Sequence, residues 1–363
     1  MGVAVARVTA LPIPIFAVIG HQESWSQIAS IVGHMRGPAQ PALTEAQLRE
    51  IVPWIPSRTV GRLTVAAAPN ASPVNGIYID TFITPDELAA RPTRRVLDKV
   101  RDGIRAAERE GARVASLGGF TSILAEAMAI PCDGNLALTT GNTLTAALIV
   151  RGVERAARLL GRSLDAEDLL IIGATGDVGS ACARSLVGRT RRLLLAARGE
   201  ERLEREAAQL RARGAVETST EVSELLRQAS VVIAVTSAPA APFALEACAP
   251  DAIVCDAGYP KNMQVASGHS SRRLFWGGMG QLAGGIAKND GVQYTFPVAH
   301  AAHGCMIEGA VLGMAGRFEA FSTGRGRITP DRVQEMWRLA TACGVSLAPL
   351  FDRAGVWPEE MAS

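Results

Sequence analysis

A glycine-rich turn between a strand-like run and a helix-forming run most constrains the fold of this chain. The letters GATGDVGSA follow LLII, and Gly173, Gly176 and Gly179 give the spacing GxxGxxG. Glycines at this spacing allow a tight turn and let backbone N–H groups approach a pyrophosphate, while the following helix N-terminus adds partial positive charge. The turn therefore predicts the first βαβ unit of a dinucleotide-binding domain.

The sequence after residue 163 alternates between strand-like and helix-like patterns. The strand-like runs are LLIIGATG, RLLLAAR, VETST, SVVIAVTSA, AIVCDAGYP and LFWGG. Such alternation is typical of a doubly wound parallel sheet, whose ligand lies at the carboxyl ends of the strands. We therefore expect an α/β chain with three parts: an N-terminal α/β domain over 1–163, a doubly wound Rossmann domain over 164–291 and a C-terminal helical segment over 292–363.

The N-terminal part shows fewer clear elements. Strands are predicted at 13–20, from Gly76 in GIYIDTFIT and in ARVASLGG. Helices are predicted at 24–32, from Pro85, over the basic stretch 93–111 and after TTGNT up to Gly161. The proline-rich residues 36–59 predict an irregular insertion that holds one helix.

Composition excludes several classes of protein. With 37 basic and 35 acidic residues among 363, no global charge favours nucleic acid or an anionic membrane as the main partner. The six cysteines lack the CxxC spacing of zinc or redox sites, so we expect free thiols and no metal site. Neither a signal peptide nor a membrane span is predicted, and we expect a cytoplasmic protein.

The predicted cofactor is NADPH. Arg198 ends the second strand, where an acidic residue would hold the ribose of NAD, and an arginine suits a 2′-phosphate instead. Thr236 and Ser237 follow the fourth strand, where they either contact the nicotinamide half or cap a loop. The predicted cofactor-binding residues are Gly173, Thr175, Gly176, Asp177, Val178, Gly179, Arg198, Thr236 and Ser237.

Cys305 is the leading candidate for a reacting group. It lies at the predicted start of an amphipathic helix, and a helix N-terminus lowers the pKa of a thiol by stabilising the thiolate. His300 and His303 are close in sequence. The alternative is that Cys305 is a small buried apolar side chain, and the residues alone leave both interpretations open.

Six blocks of sequence resemble the long-chain acyl-(acyl-carrier-protein) reductases of cyanobacteria, which form aldehydes with NADPH. The blocks are FAVIGH at 16–21, LGGFTSI at 117–123, TTGNT at 139–143, GATGDVGSA at 173–181, LLLAAR at 193–198 and DAGYPKN at 256–262. The resemblance implies that Cys305 attacks an acyl thioester and that the acyl-enzyme is reduced to an aldehyde. The carrier would be an acyl carrier protein or coenzyme A.

The resemblance also implies roles for other residues. Lys261 and His303 join Cys305 as candidate catalytic residues, with Lys261 donating to an oxyanion or to a cofactor phosphate unless it is a surface lysine. Gly118, Gly119 and Asn142 are the expected substrate contacts. An acidic carrier protein would complement the basic stretch 91–113, whose alternative is a solvated helix face with mixed ion pairs. A downstream aldehyde-consuming enzyme and weak peripheral membrane contact are further expected partners.

The chain departs from the family pattern at Leu144, where a polar residue is usual, at GGMGQLAGG after Trp276 and in the insertion 36–59. These departures concern the identity of the acyl chain more than the type of reaction. Two other hypotheses need no cysteine: a ketone reductase of the shikimate dehydrogenase type and a catalytically silent NADPH-binding sensor. A thiol near the nicotinamide distinguishes the thioester hypothesis from both.

Overall fold

The computed structural model describes residues 13–84, 93–122, 135–238, 242–266, 273–288, 296–322 and 326–361. Its helices are α1 Trp25–Arg36, α2 Glu45–Ile51, α3 Thr93–Arg109, α4 Asn142–Leu159, α5 Asp177–Leu186, α6 Glu200–Leu210, α7 Val222–Gln228, α8 Gly304–Met314, α9 Pro330–Ala342 and α10 Pro358–Met361. The helix expected at Pro85 lies outside the described residues. None of the described helices is long and apolar enough to cross a membrane.

The strands assemble mainly into two large sheets. They are β1 Phe16–Gly20, β2 Arg58–Val65, β3 Val74–Asp80, β4 Val114–Leu117, β5 Ala137–Thr139, β6 Asp168–Ile172, β7 Arg192–Ala196, β8 Val216–Ser219, β9 Val231–Ala234, β10 Phe243–Ala244, β11 Ile253–Asp256, β12 Met263–Gln264, β13 Leu274–Trp276, β14 Met279–Leu282, β15 Ile286–Lys288, β16 Ala301–His303, β17 Val345–Leu347, β18 Phe351–Asp352 and β19 Gly355–Val356.

The second large sheet is the expected Rossmann sheet. Its strand order is β13-β11-β9-β6-β7-β8, and every neighbouring pair is parallel. Numbered from β6, this is the 3-2-1-4-5-6 order of a doubly wound dinucleotide-binding fold. All six strands predicted from the sequence are present, so the predicted fold class is confirmed.

The first large sheet has the order β15-β2-β3-β1-β4-β5. The predicted strands at β1, β3 and β4 are confirmed, and these three with β5 are mutually parallel. Strands β2 and β15, which extend the sheet beyond β3, are antiparallel additions that the sequence did not predict. Because β15 comes from residues 286–288, the chain returns to the N-terminal sheet after completing the Rossmann sheet. The division at 163 and 291 remains a prediction.

The insertion 36–59 holds the predicted helix as α2. Thr44 caps it with a capping box, in which the side chains of Thr44 and Gln47 each accept from the other residue's backbone N–H. Leu48 of α2 packs with Ile28 of α1 and with Phe82 in a small apolar cluster. The insertion therefore covers α1 at the carboxyl end of the N-terminal sheet.

Helix α4 joins the two sheets into one core. It packs against α5, α8, α9 and β11, and most of its side chains are buried. The C-terminal segment is helical at α8 and α9, as expected, but it also contains the short strands β16 to β19. Since α8 contacts β1 and β4 on its other side, its N-terminus is held over the end of the N-terminal sheet.

Gly76 tests the packing of this sheet. It pairs with Phe16 across β1 and β3, and an added Cβ would lie 2.3 Å from the Phe16 ring. Because core overpacking typically costs ~1–3 kcal/mol, we expect Gly76→Ala to lower the free energy of unfolding by about that amount in urea denaturation. The control is Gly33→Ala in α1, where nothing lies within 4 Å. It should raise stability by up to ~1 kcal/mol, and equal effects of the two changes would contradict this packing.

Candidate functional site

A cavity of about 560 Å³ lies where the carboxyl ends of the two large sheets face each other. From the N-terminal sheet it is lined by Gly20 and Gly118, and from the Rossmann sheet by Gly173, Val235 and Ala257. Open α/β sheets bind ligands at this edge. The cavity is therefore the candidate active site.

The glycine turn has the geometry of a dinucleotide cradle. Gly173 has φ +91°, and a Cβ there would lie 2.5 Å from the carbonyl oxygen of Val235. A Cβ on Gly179 would lie 2.3 Å from the carbonyl oxygen of Gly173, so helix α5 packs too closely on the turn for any side chain. Helix α5 begins at Asp177 with no side-chain cap, which leaves its first N–H groups available to a phosphate.

All the predicted cofactor-binding residues line the cavity. The carboxylate of Asp177 accepts from the Gly326 N–H at 3.2 Å. The sequence analysis missed Arg202, which also lines the cavity and donates to the carbonyl oxygen of Thr175. Its position four residues after Arg198, near the start of α6, is the signal that would have found it.

The loop after β11 is organised by one carboxylate. Asp256 accepts from the backbone N–H groups of Gly258, Asn262 and Met263 at 2.8–3.1 Å. Burial raises the pKa of Asp256, and Lys261 and these amides oppose that rise. The Asn262 side chain accepts from the Thr236 N–H at 2.8 Å and donates to the Thr236 carbonyl at 3.3 Å. The DAGYPKN block thus holds the loop that carries Thr236.

Cys305 lies in the first turn of α8, on the side of the cavity formed by the N-terminal sheet. Gly141, with φ +70°, passes so close that a Cβ would lie 2.2 Å from the Cys305 Cα. A Cβ on Gly118 would lie 3.9 Å from the Cys305 sulfur. The predicted substrate residues Gly118, Gly119 and Asn142 all line the same cavity. The blocks LGGFTSI and TTGNT therefore meet at the thiol.

The pKa of Cys305 differs from the expectation. Burial raises it to about 11, and the carboxylate of Glu308 adds to the rise. Backbone N–H groups of Gly119, Cys305 and Met306 donate to the sulfur and oppose the rise. The first-turn amides of α8 lower the pKa as expected, but the net shift is upward, because desolvation of the thiolate outweighs the amides. The resting group is a thiol surrounded by donors for a negative charge.

Glu308 is a fully buried carboxylate one turn after Cys305. It accepts from the hydroxyls of Thr139 and Ser322 and, at 2.9 Å, from the Leu144 N–H. Burial raises its pKa, and these hydrogen bonds oppose the rise. Leu144, a departure from the family pattern, thus contributes a backbone donor while its own side chain is buried in the core.

The other two predicted catalytic residues, His303 and Lys261, differ in their relation to the cavity. His303 lines the cavity, and burial, assisted by Lys261, lowers its pKa to about 3, so the ring is neutral. Lys261 is not among the lining residues. Its Nζ lies 3.5 Å from the Asp256 carbonyl oxygen and 5.1 Å from the centre of the Trp276 ring. Burial lowers the pKa of Lys261, and Asp256 and Glu23 oppose that.

Two further aromatic side chains were missed as site residues. His21 and Tyr259 line the cavity, with their ring centres 5.2 Å apart, and Tyr259 lies 5.4 Å from His303. Both belong to blocks that carry the family resemblance, which was the available signal. Among the described residues no group of three or more His, Cys, Asp or Glu side chains could hold a metal ion.

Comparison with known proteins finds a relative that matches most of the chain. The long-chain acyl-[acyl-carrier-protein] reductase of Synechococcus elongatus is 31% identical over 345 residues, covering 88% of this chain and 94% of that protein. The aminotransferase PigE of a Serratia species is 27% identical over 278 residues, 74% of this chain but only 32% of that longer protein. No family model matches.

Among solved structures, the quinate dehydrogenase of Corynebacterium glutamicum in complex with NAD is similar over 68% of this chain and 80% of that chain. Its sequence identity is 15% and its TM-score 0.35.

Proposed function

The chain belongs to the long-chain acyl-(acyl-carrier-protein) reductase family, and we propose that it reduces an acyl thioester to an aldehyde with NADPH through an acyl group on Cys305. The proposal depends on one observation: the Cys305 thiol, with backbone N–H groups hydrogen-bonded to it, lies in the same cavity as a dinucleotide cradle. A ketone reductase or a cofactor sensor has no use for that thiol.

The first step is thioester exchange. The Cys305 sulfur forms a bond to the acyl carbonyl carbon, the carbon–sulfur bond to the carrier's pantetheine breaks, and the departing sulfur takes up the proton that Cys305 gives up. The acyl oxygen bears negative charge during this exchange. In the proposed exchange, the N–H groups of Gly119, Cys305 and Met306, which hydrogen-bond to the sulfur, stabilise the charge on that oxygen.

The second step releases the aldehyde. NADPH, when bound in the cradle, supplies a hydride to the acyl carbon. The same backbone donors hold the oxygen, and cleavage of the bond from carbon to the Cys305 sulfur gives the aldehyde while the sulfur takes up a proton. We assign Lys261 and His303 supporting roles. His303 shields the site as a neutral ring, and Lys261 contributes positive charge near Cys305, whose thiolate it stabilises.

The two arginines beside the cradle favour NADPH over NADH. Arg198 follows β7 and Arg202 lies in the first turn of α6, and both line the cavity. Arg202 is fixed by its bond to the Thr175 carbonyl, so its guanidinium stays beside the glycine turn. Two guanidinium groups at the end of the second strand suit a 2′-phosphate.

The carrier would approach from the carboxyl edge of the N-terminal sheet. Helix α3 starts at this edge, because Lys99 in its second turn donates to the carbonyls of Val52 and Ile55, just before β2 begins opposite Asp80. Farther along α3, Arg101 and Arg105 pair with aspartates of the same helix. We propose that its exposed first turn, with Arg94 and Arg95, meets an acidic carrier protein.

Acylation of Cys305 is the direct test. Incubated with acyl-carrier or acyl-CoA thioesters, the wild type should gain the mass of one acyl group in intact-protein mass spectrometry, and NADPH should discharge it as aldehyde. Cys305→Ser should gain no acyl group that NADPH discharges and should still bind NADPH, because the cradle is unchanged. Equal acylation of both proteins, or none with turnover intact, would refute the covalent mechanism.

Cofactor choice tests the arginines. Because a hydrogen bond to a charged group is worth about 1.5–3 kcal/mol, Arg198→Ala and Arg202→Ala should each raise the KM for NADPH roughly tenfold or more and leave the KM for NADH nearly unchanged. Arg205→Ala, whose guanidinium pairs with Glu201, is the control. An equal loss with both cofactors would place the arginines away from the 2′-phosphate.

Charge reversal tests the carrier surface. The double variant Arg94→Glu with Arg95→Glu should raise the KM for acyl carrier protein at least about tenfold and leave the KM for acyl-CoA unchanged, with a weaker salt dependence of the carrier reaction. Arg109→Glu, at the far end of α3, should change neither value. If both substrates are affected alike, the first turn of α3 does not recognise the carrier.

A further inference from the structure

His21 is buried between two loops: the loop after β4, which contacts Cys305, and the loop after β11 of the Rossmann sheet. It follows β1 directly, and only 2% of its surface is exposed. Its ring centre lies 5.0 Å from that of Phe120 and 5.2 Å from that of Tyr259. These contacts fix the plane of the imidazole.

Both ring nitrogens of His21 are engaged with the backbone. Nε2 accepts from the Phe120 N–H at 3.1 Å, and Nδ1 lies 3.3 Å from the Gln22 carbonyl oxygen. A nitrogen that accepts carries no proton, so this pattern requires the neutral ring protonated at Nδ1. Burial lowers the pKa of His21 to about 4, against the bond to Gln22, and the ring therefore stays neutral above that pH.

The loop that His21 holds also contacts the thiol. Gly119 has φ +56°, and a Cβ there would lie 2.4 Å from the His21 Nε2. The Phe120 N–H donates to His21, while the preceding N–H, that of Gly119, donates to the Cys305 sulfur. Because adjacent peptide planes share the Gly119 Cα, fixing the first N–H restricts the direction of the second.

We infer that His21 is a positioning residue: by accepting from Phe120 it aims the Gly119 N–H at the Cys305 sulfur and at the acyl oxygen formed there. It does not transfer protons, because each ring nitrogen already has a backbone partner. Nε2 accepts from the Phe120 N–H, and Nδ1 bonds to the Gln22 carbonyl oxygen. This inference rests on the proposed function for its catalytic consequence. Its effect on the thiol is independent of acyl transfer.

Alkylation of Cys305 measures that effect directly. The rate of modification by iodoacetamide, followed by peptide mass spectrometry across pH 7–11, reports the thiolate fraction. Loss of an aligned donor raises the thiol pKa, so at pH 9 we expect His21→Leu to react about tenfold more slowly than the wild type, the effect of one pKa unit. The rate of acylation should fall by roughly 10²-fold, as for the loss of one oxyanion donor.

His21→Gln is the conservative variant. Its amide oxygen can accept from the Phe120 N–H, so it should recover a substantial part of both rates. The matched control is His34→Leu, an exposed histidine near the end of α1, which should leave both rates unchanged. NADPH affinity should stay within about twofold in all three variants, because the cradle lies on the other sheet.

A wild-type alkylation profile in His21→Leu, with NADPH binding intact, would overturn the inference. If His21→Leu loses NADPH binding and so fails to fold, Gly119→Ala tests the same contact, since its Cβ would displace the imidazole from Phe120. We expect Gly119→Ala to slow the alkylation of Cys305 as much as His21→Leu would. An unchanged alkylation rate in Gly119→Ala would also overturn the inference. If no thioester acylates the wild type, the proposed function fails, while the alkylation result still decides the role of His21.

Discussion

The buried carboxylate of Glu308 is the interaction on which the candidate site depends. It binds the Thr139 hydroxyl at the end of β5, the Leu144 N–H at the start of α4 and the Ser322 hydroxyl after α8. These groups belong to parts of the chain far apart in sequence, and one desolvated charge satisfies all of them. The Thr139 and Ser322 hydroxyls are also hydrogen-bonded to the Ser322 N–H and to Thr143, so the four residues and Glu308 form one buried network. The helix that carries Cys305 is thereby fixed to the TTGNT block.

A second carboxylate has the corresponding role on the Rossmann side. Asp256 accepts from the backbone N–H groups of Gly258, Asn262 and Met263 in its own loop. The Asn262 side chain in turn accepts from the Thr236 N–H and so links this loop to the loop after β9. Both carboxylates are buried, and the pKa of each is raised by that burial. Each large sheet thus presents a loop ordered by an anion at its carboxyl end, and the cavity lies between the two loops.

Hydrogen bonding and burial have opposite effects on the pKa of the Cys305 thiol. The first turn of α8 and the Gly119 N–H stabilise negative charge at the Cys305 sulfur, whereas desolvation and Glu308 destabilise it. The balance leaves a protonated thiol in the free protein. In the proposed reaction the same donors would instead stabilise the acyl oxyanion. Such donors favour the transition state over the ground state, which is how binding energy accelerates a reaction.

The sequence by itself determined the Rossmann sheet, the glycine cradle and the N-terminal strands β1, β3 and β4. These follow from local signals: strand-length apolar runs, and glycines that allow close backbone approach. Only the tertiary structure decided the edge strand β15, the meeting of the family blocks at one cavity, the contacts of Arg202 and His21, and the direction of the Cys305 pKa shift. Those depend on partners distant in sequence and on how far each group is removed from water, and no local pattern of residues encodes either quantity.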